Sequence, residues 1–379
     1  NIPKKKIKNV LLIGATGYLG IHILEQLILS NANKIYCLVR KKSAIEPETR
    51  LKNYLEFYFG DKYNYLLGRK IIVINGDITD KKFGQTSDEE YENLTQKVDC
   101  VIHTAAIVKH YGNFKKFNDT NVEGTKNVIN FCKKHNKKLY YISTLSVSGN
   151  VAKKSDEEKT KSFKENEFYI NQDLNNVYIF TKFEAEKKIF ESIQTGLDAC
   201  ILRVGNMTNR LSDGKFQINI SENAFISRIK AIMKLGVVQE KFIKHALEFT
   251  PVDSCAEAIV KIIESNPEFT VFHLFNDNFL NIGILLQYLN ELGIIIKPVN
   301  DEEFSQKVTL ALKNEKMRSD INGIVTELDK NKLMNIISSV IPNSDFTKEY
   351  LKRLGFKWQE VDKTYIIKYI EYLKKIKYI

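Results

Sequence analysis

One loop constrains this chain more than any other feature. The run Gly14-Ala15-Thr16-Gly17-Tyr18-Leu19-Gly20 comes after the apolar stretch Val10 to Ile13 and opens an apolar helical pattern. Glycine has no Cβ, so it permits a tight turn and lets backbone N–H groups close on a phosphate. The helix N-terminus adds a positive partial charge at the same point. A strand–GxxGxxG–helix unit of this kind opens a parallel α/β sheet, and the expected ligand is the pyrophosphate of a dinucleotide.

The residues downstream support such a sheet. Short apolar runs predict strands at 9–14, 34–40, 70–75, 99–104, 138–144 and 199–204. Helical spacing predicts helices over 18–30, 122–135 and 175–192. Continuous apolar runs separated by helices mean strands covered on both faces. Regular alternation stops near Gly205, then a helix ending near Ser265 and a strand at 270–275 extend the pattern. Most of the remaining chain reads as helical. The expected fold class is therefore α/β: a Rossmann, doubly wound parallel sheet with a smaller, mainly helical C-terminal substrate domain. The expected division assigns 1–205 plus 249–275 to the nucleotide-binding domain and 206–248 plus 276–379 to the second. Residues 151–172, crowded with Lys, Glu, Asp, Ser and Asn, read as a solvated loop or as a lid over the ligand crevice.

Composition narrows the class. No apolar run is long enough to span a bilayer, and no signal peptide is visible. The lysine-bearing apolar stripe of Thr364 to Ile379 is expected to pack on its own domain rather than on a membrane. Cys37, Cys100, Cys132, Cys200 and Cys255 lie far apart, with no zinc or CxxC spacing. They are expected to be small buried residues in a reducing cytoplasm, and no metal site is expected. The net charge of +11 comes from lysines scattered along the chain. Without an arginine-rich or aromatic-interleaved patch, it argues for a solvated surface and against nucleic acid.

The next strand distinguishes between dinucleotides. An NAD site carries an acid about twenty residues past the glycines, which binds the ribose 2′-hydroxyl. This strand ends instead in Arg40-Lys41-Lys42. A guanidinium grips a 2′-phosphate that a carboxylate would repel, so the expected cofactor is NADPH. Arg50 is a candidate second clamp. Asp77 and Ile78, after the third strand, are placed toward the adenine. Ala105 and Ala106, after the fourth, are small enough to let the cofactor lie against the backbone.

Tyr178 and Lys182 stand four residues apart on a predicted helix and so share a face. A nearby ammonium is expected to lower the tyrosine pKa and make Tyr178 a usable proton donor. Lys182 is also placed to hold the nicotinamide ribose. Thr144 ends the fifth strand, where its hydroxyl can donate to a substrate carbonyl.

Glycine loop, strand-end Thr and Tyr-x-x-x-Lys in this order resemble the extended short-chain dehydrogenase/reductase superfamily, which uses a Ser/Thr–Tyr–Lys set. Val10 to His22, Leu38-Val39-Arg40, Val101 to Ala106, Asn121 to Thr125 and Glu248 to Asp253 look like the thioester reductase domains that terminate nonribosomal peptide synthetases. Carboxylic acid reductases and aminoadipate reductases carry related domains. The resemblance implies an acyl or peptidyl thioester on the phosphopantetheine arm of a carrier protein, reduced to an aldehyde, which a second hydride would take on to the alcohol. A freestanding fatty acyl or carbonyl reductase is the alternative, and a non-catalytic Rossmann binding module the second.

Overall fold

The computed structural model describes residues 7–42, 44–85, 87–109, 112–150, 161–334 and 340–379. Its centre is a sheet of seven parallel strands: β1 (Asn9–Ile13), β2 (Lys34–Val39), β3 (Ile71–Asn75), β4 (Cys100–His103), β5 (Lys138–Thr144), β6 (Ala199–Val204) and β7 (Val271–Leu274). Their spatial order is β7-β6-β5-β4-β1-β2-β3. The chain builds outward from β1 through β2 to β3, then returns to the other side of β1 as β4. That reversal makes the β1/β4 junction the switch point where such sheets bind ligands. Register places Ile13 opposite both Leu38 and His103, and Thr144 opposite Val204.

The strands form because their residues can be buried on both faces. Val10, Leu11 and Leu12 of β1 are completely covered, as are Ile201 and Leu202 of β6. Helix α1 (Tyr18–Leu29) buries Ile21, Ile23, Leu24 and Leu27. Helix α2 (Gly124–Lys134) buries Val128, Ile129, Phe131 and Cys132, and ends in Lys133 and Lys134, whose charges suit a helix C-terminus. Helix α3 (Val177–Ile193) is started by Asn176, whose side chain accepts from the N–H groups of Tyr178 and Ile179. Helix α4 (Val252–Ser265) packs on α1.

Two compact units divide the chain. The first comprises Asn1–Gly205, Val252–Leu274 and Ser339–Lys357; the second comprises Asn206–Pro251, Phe275–Ser338 and Trp358–Ile379. This departs from the expected division, which left 276–379 whole. The helix Asp345–Arg353 belongs to the first unit because Tyr350 and Phe346 pack on Phe272 of β7, at ring-centroid separations of 5.0 and 5.6 Å. Residues 151–160 of the expected loop or lid lie outside the described residues. The remainder is not a solvated loop. Lys161–Phe163 pairs in parallel with Val340–Pro342, and Phe163, Glu165, Ile170 and Gln172 are buried.

The second unit is built on the helices Ala224–Leu235, Ile282–Glu291, Asp301–Lys313 and Lys363–Lys375. Short strand pairs, such as Val237–Gln239 with Lys297–Val299, tie them together. Tyr365, Ile366, Tyr369, Ile370 and Leu373 are buried along one stripe, and their helix packs on Ile282–Glu291. All five cysteines are buried free thiols. Among the described residues, no helix is long and apolar enough to cross a membrane.

Candidate active site

A cavity of about 220 Å³ opens at the carboxyl ends of β1 to β4. The glycine loop lines it with Gly14, Thr16 and Gly17. Arg40 comes after β2, Asp77 and Ile78 after β3, and Ala105 and Ala106 after β4; Arg50 completes the wall. Nine of the expected cofactor residues therefore meet in one cavity. Tyr18, Leu19 and Gly20 instead begin α1, where the Tyr18 ring packs against His22 and Tyr58.

The loop tolerates only glycine at two points. Gly14 sits at φ +97°, and a Cβ there would lie 2.3 Å from Thr104 Oγ1 and 2.7 Å from the Ala105 nitrogen. A Cβ on Gly20 would lie 2.0 Å from the Gly14 carbonyl oxygen. The turn is thus folded tightly against the end of β4, leaving a bare cradle that fits a pyrophosphate. Thr104 takes part in this closure and was not picked out from the sequence. Its hydroxyl donates to the carbonyls of Ile13 and Gly14 at 3.1 and 3.2 Å. The signal was a small hydroxyl residue directly after β4.

Arg40 and Arg50 are joined. Arg50 donates to the Arg40 carbonyl at 2.9 Å, and the Arg40 guanidinium stands 3.6 Å from the Asp77 carboxylate. Asp77 also accepts from the N–H and hydroxyl of Thr79, each at 3.0 Å. Two cations therefore share one wall, and Asp77 is the carboxylate among its described lining residues. This donor set fits an anionic group on the nucleoside end of a dinucleotide.

Thr144, Tyr178 and Lys182 form a separate cluster at the end of β5. Thr144 is buried and caps the short turn after the strand, accepting from the Ser146 N–H at 3.1 Å. Its hydroxyl also donates to Ser146 Oγ at 3.1 Å, and its side chain is near enough to the Tyr178 phenol to lower its pKa. Lys182, 3% exposed, donates to the Ile142 carbonyl at 2.6 Å and lies 4.1 Å above the Tyr141 ring. Asn121, in the segment after β4, steadies α3 from the other side. It donates to Thr181 Oγ1 at 3.0 Å and to the Ile107 carbonyl at 3.1 Å.

The electrostatics of this cluster correct one expectation. Lys182 was expected to lower the Tyr178 pKa. Instead burial pushes the Tyr178 phenol up to about 12, opposed only by the influence of Thr144. Burial also brings the Lys182 amine down to about 7, opposed by the carboxylate of Glu186. Desolvation disfavours the charged form of both groups and outweighs their neighbours. The lysine is turned to a backbone carbonyl and a ring face, and it is not among the influences on the phenol. Tyr178 is consequently a neutral phenol with its proton in place at neutral pH.

Sequence reading also missed what lies one turn further along α3. Tyr178, Lys182 and Glu186 form an i, i+4, i+8 stripe. Glu186 is fully buried and holds the equally buried Arg203 of β6 through three contacts of 2.8–3.1 Å. Arg203 also donates to the Glu167 carbonyl at 2.9 Å, bonds the His273 ring at 3.1 Å, and lies 4.8 Å above Phe163.

A parallel sheet with a glycine cradle at its switch point and a Thr–Tyr–Lys cluster at a neighbouring strand end, its Thr and Lys buried and its Tyr half-buried, defines a dinucleotide-binding oxidoreductase fold. Similarity to known proteins gives the family. Residues 12–259 match the NAD-binding domain family described as "Male sterility protein", and the chain belongs to it. A nicotinamide dinucleotide is accordingly its class of cofactor. The chain is 26% identical to a linear gramicidin synthase of Brevibacillus parabrevis, over 96% of this chain and 7% of that protein. It is 27% identical to Glycine betaine reductase ATRR of Emericella nidulans, over 78% of this chain and 23% of that one. The chain thus spans less than a quarter of the length of either relative. Among solved structures, the thiolation-reductase di-domain of an archaeal nonribosomal peptide synthetase is 32% identical, with a TM-score of 0.85 over 100% of this chain and 77% of that one. The terminal R domain of the myxalamid pathway is 25% identical, with a TM-score of 0.83 over 99% and 92%.

Proposed function

We propose that this chain carries out NADPH-dependent reductive release: an acyl or peptidyl thioester on the phosphopantetheine arm of a carrier protein is freed as an aldehyde. The observation that carries this reading is the neighbouring hydroxyls of Thr144 and Tyr178 beside a buried amine at the strand end next to the glycine cradle. When bound, the dinucleotide supplies a hydride to the thioester carbonyl carbon. The two hydroxyls hold the carbonyl oxygen as negative charge develops on it. Tyr178, neutral at working pH, gives that oxygen its proton. Collapse of the resulting hemithioacetal expels the thiol of the arm and leaves the aldehyde. Lys182 is buried with one carbonyl contact, which suits it to grip the ribose beside the nicotinamide. Gly14, Thr16, Gly17 and Ala105 would hold the pyrophosphate region, and Asp77 and Ile78 the adenine side. Arg40 and Arg50 support NADPH as the form used, since their shared wall suits a 2′-phosphate. The likeness to a thiolation-reductase di-domain supports the carrier partner, and the net charge of +11 suits docking to an acidic surface.

Loss of NADPH absorbance in the presence of a pantetheine thioester tests the reading. Tyr178→Phe should slow that loss by about 10²–10⁴-fold, the usual contribution of a positioned acid. Undiminished consumption by the variant overturns the assigned role. Equal rates on carrier-bound and freestanding coenzyme A thioesters would favour a freestanding reductase instead.

A further inference from the structure

The turn Leu145–Ser148, directly after β5, brings a third hydroxyl up to Thr144, that of Ser146. The turn does not depend on this hydroxyl for its shape. The Ser146 N–H donates to Thr144 Oγ1 at 3.1 Å, and the Ser146 carbonyl accepts from the Gly149 N–H at 2.9 Å. The buried Gln172 amide donates to the Val147 carbonyl at 2.9 Å. Backbone groups and one buried amide therefore hold the turn, and Ser146→Ala would keep every one of these bonds.

What the hydroxyl does follows from the hydrogen-bond capacity of its partner. A threonine hydroxyl has one proton and two acceptor lone pairs. Thr144 gives one lone pair to the Ser146 N–H and directs its proton at Ser146 Oγ, at 3.1 Å. A hydroxyl whose proton points at a neighbour does not donate to a substrate oxygen. To hold a developing oxyanion, Thr144 must turn that proton away from Ser146. The bond between the two side chains would then be lost, unless Ser146 reverses it. Ser146 is half-buried, and its own proton has no acceptor among the described residues. That proton is free to rotate onto the second lone pair of Thr144 Oγ1. In the proposed reaction Tyr178 leaves this lone pair open, because its proton goes to the substrate oxygen. The bond is kept with its direction reversed. A hydroxyl that accepts one bond while donating another is polarised, and the bond it donates is strengthened.

We propose that Ser146 is a positioning residue for the reduction. In the resting site its oxygen holds the Thr144 proton; when the thioester carbonyl enters, its hydroxyl becomes the donor that keeps Thr144 turned toward the carbonyl oxygen. Ser146 acts through Thr144 and does not touch the substrate. The inference rests on the thioester reductase reading, in which Thr144 meets that oxygen.

Steady-state NADPH consumption by the whole chain, with octanoyl-pantetheine as the probe, tests it. Thr144→Val should lower kcat by about 10²–10³-fold, the usual loss of one oxyanion donor. Ser146→Ala should lower kcat by about 3–10-fold, the worth of one neutral hydrogen bond, and leave KM in place. Ser146→Thr, which keeps the hydroxyl, should restore the rate. NADPH affinity, read by fluorescence titration, should not move in any Ser146 variant. The double variant separates positioning from mere structure. With Thr144→Val already present, Ser146→Ala should cost nothing further, because its effect passes through the Thr144 hydroxyl. Ser146→Cys serves in place of Ser146→Ala if thermal unfolding shows that variant to be misfolded, since a thiol is only a weak donor. A wild-type rate for Ser146→Ala, a loss that appears in NADPH affinity, or the same loss with and without Thr144→Val overturns the inference. A slow Tyr178→Phe in the same assay would leave the reductase reading standing after that failure. Undiminished consumption by Tyr178→Phe would remove the reading and the inference together.

Discussion

Two buried cations lie close together along the chain's fold, Lys182 on α3 and Arg203 on β6, and they are treated in opposite ways. Arg203 is wholly covered and wholly paired: Glu186 takes its fork, and a carbonyl, an imidazole and a phenyl ring take the rest. Lys182 is 3% exposed and has one carbonyl and one ring face, with Glu186 as a counter-charge one turn along the helix. Burial of an unpaired charge is expensive, so a fold keeps it where it has a use. On the proposed function, the difference separates a cation that holds the structure from one kept for the cofactor.

The largest effect should come from breaking the paired cation. Glu186→Ala strands Arg203 in the interior and should cost about 3–5 kcal/mol, read as a lower midpoint of urea unfolding. A loss below about 1 kcal/mol would mean that Arg203 is no more structural than its neighbour.

Lys182→Met should behave in the opposite sense. Reduction of a pantetheine thioester should fall by about 10²-fold, as expected when a reactant loses its positioning group. Stability at pH 7 should not fall, because the variant no longer buries an amine that the unfolded chain keeps protonated. The pH dependence gives a sharper readout. The folded state lowers the Lys182 pKa from 10.5 to about 7, so between these values the unfolded chain binds the extra proton. Stability contributed by this group is full above pH 10.5 and is lost as pH falls through 7. The variant should therefore gain on the wild type at pH 7 relative to pH 10. A gap that is the same at both pH values would refute the lowered pKa.

Arg40 supplies a third case, since its side chain is 58% exposed and its partner Asp77 is 3.6 Å away. Arg40→Ala should weaken NADPH by roughly ten- to hundredfold, or about 1.5–3 kcal/mol, the worth of hydrogen bonds to a charged group. NADH binding, measured by fluorescence titration, should hardly change; equal losses would place the 2′-phosphate elsewhere. The smallest effect belongs to Asn176, which sets where α3 begins and so where Tyr178 and Lys182 stand. Asn176→Ala should cost about 1 kcal/mol of stability, measured as a lower Tm.

The sheet was legible because its strands are continuous apolar runs with helices between them. Each strand of the expected set appears within one residue of its place. The glycine loop was legible because backbone geometry there admits no other residue at Gly14 and Gly20. The cluster of Thr144, Tyr178 and Lys182 was legible as residues but not as electrostatics, since spacing on a helix does not report desolvation. Arg203 and Glu186 were missed for a related reason: a strand arginine and a helix glutamate look like surface charges until the fold buries both. The pairing of Lys161–Phe163 with Val340–Pro342 was invisible because its two halves lie far apart in sequence and each is only three residues long.

The first unit is assembled from three separate stretches of chain, which alternate along the sequence with the three stretches of the second. This has a consequence for birth on the ribosome, where domains form from the N-terminus onward. When Gly205 has emerged, β1 to β6 can already associate, but β7 begins at Val271 and Asp345–Arg353 comes later still. Until β7 arrives, β6 presents an unpaired edge, the kind of surface on which nascent chains aggregate. The intervening Asn206–Pro251 must be accommodated before that edge can close, at a loop-closure cost that rises only slowly with its length. Neither unit can be cut out as one continuous piece. Anyone transplanting this module must move it whole, and slow translation just before Val271 is where its yield is most exposed.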